Sequence, residues 1–204
     1  MVLPTPKTRT GQRRISTFWA TPQARQWLNG MVTVLSVLAC LLILPTRLPG
    51  MEILGVGPNW LLIWVVAWSV KRSVWQGAIA GITLGLIQDG MTSPHPTHTL
   101  SLAIVGMLTA RLQKQRYIQE DFISVALIVF GMAVVAETVT ALQFTLQGVG
   151  TPQHEEARTL TEIWTYHQWI ALSSAILSSL WAPVVYYPLN RWWERMNAFN
   201  QTPT

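Results

Sequence analysis

The stretch VWQGAIAGITLGLIQDGMTSPHPTHTLSLAIVGMLTARLQ, residues 74–113, decides how the chain is read. Between Arg72 and Arg111 the only Asp, Glu, Lys or Arg is Asp89. As one helix at ~1.5 Å per residue this run would be nearly twice the ~30 Å of a bilayer's hydrocarbon core. The turn-rich segment DGMTSPHPTH, residues 89–98, divides it. Two crossings are therefore expected, over residues 74–89 and 99–112.

The same pattern extends in both directions. No charge occurs from residue 26 to 46, and Pro45, Pro49 and Gly50 then break the chain. A first span is expected over 27–44, retained as a signal anchor because it is too long for a signal-peptide core and lacks an evident cleavage site. A short second span over 53–70 ends at Lys71 and Arg72, with Pro58 tolerable in a first helical turn. A fifth, over 122–146, is interrupted only by Glu137, and a sixth over 167–188 closes with Tyr186, Tyr187, Trp192 and Trp193 at an interfacial belt. The expected architecture is all-α, one six-span bundle over 27–190, between a basic tail at 1–26 and a short tail at 191–204.

Charge fixes the expected orientation. Of the 14 Lys and Arg residues, only Arg47 and Arg158 fall outside the two tails and the connections after spans two and four. Lys and Arg are held on the cytoplasmic side, so both termini are expected there. Half the residues are hydrophobic and only 11% are charged, well below a soluble surface. The basic balance then reads as contact with acidic headgroups rather than nucleic acid, for no basic stripe carries interleaved aromatics. The lone Cys40, in an apolar run, has no partner for a disulfide or metal. No HExxH, GxSxG, Gly-rich phosphate cradle or Cys cluster occurs, so neither an enzyme nor a cofactor protein is expected.

Three features carry candidate function. Gly77, Gly81 and Gly85 recur every four residues, giving a bare face for a close neighbour, either within the chain or from a partner. Trp60, Trp64 and Trp68 make a second stripe, with Trp64 too central for the belt; it packs a helix interface or lines a pocket with Trp68. Asp89 and Glu137 are the acids inside apolar spans, each about 22 Å from its cytoplasmic end at the helical rise. With His98 they form a candidate polar cluster that braces a turn, meets a partner or handles a proton or cation. His95, His154 and His167 lie in outer loops or at their edges, lack metal-site spacing and read as solvated residues.

The order of these features in residues 57–113 resembles the central part of the MreD family, rod-shape-determining membrane proteins of bacteria. The resemblance rests on Pro58 and Asn59 before an aromatic-bearing second span, the basic turn Lys71-Arg72, the glycines from Gly77 to Gly85, Asp89, the turn residues Ser93 and Pro94, and His98. Glu137 also fits the family's pattern, while Gln88 and His95-Pro96 depart from it. The resemblance implies a scaffold subunit of the cell-elongation complex in the cytoplasmic membrane. It would work beside MreC, MreB filaments and peptidoglycan synthases, without a small-molecule substrate. It also implies a bundle similar to the substrate-binding subunits of energy-coupling-factor transporters. A transport subunit binding a vitamin-like substrate is thus the alternative.

Overall fold

The computed structural model describes residues 22–46, 51–52, 55–92, 97–114, 122–148 and 160–201. Six helices occupy them: α1 (Pro22–Ile43), α2 (Trp60–Ser69), α3 (Val74–Thr92), α4 (His98–Lys114), α5 (Phe122–Gly148) and α6 (Leu160–Gln201). α1, α5 and α6 contain stretches long and apolar enough to cross a membrane, over Gln23–Ile43, Phe122–Leu146 and Gln168–Ala198. The chain is a membrane protein.

The second helix is shorter than its apolar run. Gly55 takes a φ of 78°, which favours glycine, and Pro58 precedes the start of the helix. Asn59 then caps α2, its side-chain oxygen accepting from the Leu62 amide at 3.0 Å, while its own amide donates to Ser178 Oγ at 2.9 Å. In place of a span over 53–70, only 10 residues are helical, about 15 Å at the helical rise. Apolar on every side, α2 needs cover on every side. It receives it: Leu61, Leu62, Ile63, Val65 and Val66 are at most 1% exposed, and α2 packs against all five other helices.

Around this centre α3 and α4 form one antiparallel pair and α5 and α6 another, with α4 also meeting α5. The α3–α4 pair is the more intimate. A Cβ at Gly81 would stand 2.8 Å from the Ala103 Cα and closer still to the Leu102 carbonyl, and one at Gly77 would strike the Gly106 carbonyl. Backbone thus meets backbone along the glycine face, as expected where lipid gives no hydrophobic drive for association. α1 lies at the rim, with 6% of its apolar stretch buried, tied to the centre by the Trp64 Nε1 hydrogen bond to Ser36 Oγ at 2.8 Å.

Other limits differ from the sequence reading. α3 runs on through Gly90 to Thr92, and α6 continues through Pro183 and Pro188 as far as Gln201, well past the expected end at 188. Helices packed by neighbours in a membrane tolerate such prolines. The extension carries Glu194 to Lys71, 2.7 Å away. Lys71 and Arg72, Arg111 in the last turn of α4, and Arg191 and Arg195 therefore gather at one end, with Asp89 near the other end of α3. Arg47, Arg158, His95 and His154 lie outside the described residues.

Gly81→Ala should lower the thermal midpoint in detergent by an amount equivalent to ~1–3 kcal/mol or more, because only backbone could yield. Gly131→Ala is its control: beyond the helix's own backbone nothing lies within 4 Å of that added Cβ among the described residues, so the change should stay within ~1 kcal/mol and favour the helix. Equal midpoints for the two variants would contradict the packing described.

Candidate functional site

The first turn of any helix leaves backbone N–H groups without intrahelical acceptors. At α4 these are the amides of Thr97, His98 and Thr99, and the acceptor is a side chain of the preceding helix. Asp89 Oδ1 receives the amides of Thr97 at 3.1 Å and His98 at 2.8 Å, and lies 2.9 Å from His98 Nδ1. Asp89 Oδ2 receives the Thr99 amide at 2.9 Å and its hydroxyl at 2.6 Å. Five donors surround one carboxylate that is 5% exposed. Since a carboxylate only accepts, the His98 contact places a proton on Nδ1.

This geometry suits an anion. A buried charge is tolerated when hydrogen-bonded, and the N-terminus of a helix attracts negative charge. α3 and α4 run antiparallel, so that α4 begins beside Asp89 of its predecessor. Below the carboxylate, a Cβ at Gly85 would meet the Thr99 amide nitrogen at 2.9 Å. The glycine therefore sets the closeness that lets Asp89 reach. The chemical result is a clasp between two helices, with both oxygens already engaged.

The candidate residues divide into separate places. Asp89 and His98 come together. Glu137 does not join them; it lies in a groove of about 250 Å³ between α5 and α6, beside Trp164 and Gln168. The glycine stripe is covered by α4, so of the two neighbours the spacing allowed it is one within the chain that takes this face. Trp64 is 3% exposed and stacks on Trp68, with ring centroids 6.0 Å apart. Trp60 lies against Trp181 at 5.7 Å. Among the described residues no three His, Cys, Asp or Glu side chains gather as a metal site requires.

Sequence reasoning missed Thr97 and Thr99. The signal was present, since Thr before an apolar helical run is a start signature. What it does not show is that the cap comes from another helix. Ser36 and Ser178, which anchor Trp64 and Asn59, gave no comparable signal.

Compared with known proteins, the chain matches the family model described as rod shape-determining protein MreD over residues 23–190. No curated protein and no solved structure matches it.

Asp89→Ala should destabilise the fold by several kcal/mol, at ~1–3 kcal/mol for each buried donor left unpaired. Asp89→Asn keeps one oxygen for the three Oδ1 contacts, and the Thr99 hydroxyl turns to accept from the new amide. That leaves the Thr99 amide as the main loss and predicts a midpoint between wild type and Ala. An Ala variant melting with wild type would rule out the clasp.

Proposed function

The chain belongs to the MreD family of rod shape-determining proteins, and we propose that it is a non-enzymatic scaffold of the cell-elongation complex in the bacterial cytoplasmic membrane. All six helices lie in the membrane, α2 within the bundle's interior, and both termini are cytoplasmic. The bundle receives the spanning helix of an MreC-like partner on its outer surface. It thereby fixes periplasmic synthesis enzymes relative to cytoplasmic MreB filaments.

The observation that carries this reading is the state of Asp89. A transport residue needs free acceptors for the ion or substrate it passes on. Both Asp89 oxygens are engaged by α4, and the glycine stripe beside it is used in the same helix pair. Polar and close-packing groups therefore serve internal rigidity, which suits a part that positions others. The outward surface is apolar helix: Met31, Val34, Leu35 and Leu42 of α1 and Ile123 and Leu127 of α5 are all more than half exposed.

The second reading, a subunit that binds a vitamin-like substrate, draws its support from Glu137. That acid shares its groove with Trp164 and Gln168, but the groove's 250 Å³ falls short of the ~300–1,000 Å³ usual for small-molecule sites.

Purification in mild detergent from cells carrying the elongation complex should retain an MreC-like protein at fixed stoichiometry. Retention of a small organic molecule in its place, with no protein partner, would favour transport. Topology is a separate test. In a Cys40→Ala background, an impermeant thiol reagent applied outside should modify cysteines placed at Pro94 or Thr151 and spare those at Gln113 or Thr202. Labelling of position 113 would overturn the proposed crossings.

A further inference from the structure

We propose that the groove between α1 and α3 binds one acyl chain of an anionic phospholipid, with Arg72 holding its phosphate. This inference rests on the membrane placement proposed above, and not on the identity of any protein partner.

α1 and α3 both pack on α2 and leave between them a groove of about 460 Å³, floored by Trp64 and Trp68. Its walls are apolar even where the sequence is polar. The Thr33 hydroxyl donates to the Asn29 carbonyl at 2.8 Å and the Thr83 hydroxyl to the Ile79 carbonyl at 2.8 Å, so both are satisfied within their own helices. Trp64 Nε1 is likewise engaged by Ser36. Nothing in these walls calls for a polar occupant.

One end is different. The Arg72 guanidinium lies over the Trp68 ring, 5.1 Å from its centroid, and is bonded to no carboxylate among the described residues. Its neighbour Lys71, by contrast, pairs with Glu194. Gln76, which lines the groove at the same end, uses its oxygen to accept the Ser73 amide at 3.2 Å and brings an NH₂ donor to that end. A cation and an amide donor thus stand at the mouth of an apolar slot.

Length selects the occupant. On α3 the lining residues run from Gln76 to Ile87, 11 steps or about 16 Å at the helical rise. That is half of a ~30 Å hydrocarbon core, the depth of one leaflet. A partner's spanning helix would follow a seam through both leaflets and is ~10 Å wide. An acyl chain is narrow, ends at the midplane, and brings a phosphate to the level of Arg72.

The test uses the full chain reconstituted in bilayer discs of equal phosphatidylglycerol and phosphatidylcholine, then released for native mass spectrometry. Wild type should retain one phospholipid, with phosphatidylglycerol favoured about fivefold, the ratio equivalent to ~1 kcal/mol for one basic residue at a membrane surface. Arg72→Gln should keep the adduct and lose the preference. Ala80→Phe, which fills the groove, should lose the adduct while circular dichroism shows a folded helical bundle. Persistence of the fivefold preference in Arg72→Gln, or an undiminished adduct in folded Ala80→Phe, overturns the proposal. So does a photo-crosslinking residue at Thr83 that captures a polypeptide in membranes in place of phospholipid.

Discussion

A helix that is apolar on every side and too short to cross a bilayer has to be covered, and the arrangement of the molecule follows from covering α2. Its 10 residues include no charge, and its core-facing positions admit almost no solvent or lipid. Lipid tails are as apolar as Leu, so removing α2 from them yields little hydrophobic stabilisation. What holds α2 is dense packing, many contacts of ~0.1–0.2 kcal/mol each, together with a few hydrogen bonds. Asn59 to Ser178 ties its start to α6, and Trp64 to Ser36 ties its middle to α1. Each bond joins the centre to a helix at the periphery.

The α3–α4 pair answers the same demand in another way. Glycines bring two backbones together over most of their length, and Asp89 closes the pair where α4 begins. These devices depend on each other. Without the near approach at Gly85 the carboxylate would not reach the Thr99 amide; without the carboxylate, three amides would be buried without acceptors beside that contact. A clasp built on backbone groups is also indifferent to which side chains fill the rest of α4. The pair can therefore act as one rigid wall for α2.

How much of this was legible depends on which coordinate a residue reports. Hydropathy and charge report position along the membrane normal, and they placed the charged end and the separate helices α3 and α4. They also put Asp89 and Glu137 at similar depth. Depth says nothing of direction around the bundle axis, and the two acids face different places: one toward the start of α4, the other into the α5–α6 groove. The glycine period of four likewise revealed a close contact without naming α4 as its partner. For α2, the apolar residues before Pro58 suggested a longer span, whereas Gly55 and the Asn59 cap delay the helix until Trp60. The chain beyond residue 190 reads as a tail because Tyr186, Tyr187, Trp192 and Trp193 mark an interfacial belt and Arg191 and Arg195 end the charge-free run. Its continuation through Glu194, which meets Lys71, belongs to tertiary packing that no local signal carries.

The two tryptophans of α2 show how interior rigidity and outer surface are connected. Trp64 is anchored by its N–H to α1 and stacked on Trp68, and the guanidinium of Arg72 lies over the Trp68 ring. A rigid ring is thereby fixed beneath a groove open to lipid, and a cation is held at that groove's end by the same ring. Trp68 packs on Trp64, which α1 and the rest of the bundle enclose to 3% exposure. The burial of α2 thus reaches the surface: a helix with no polar chemistry of its own determines where the polar end of an external site stands.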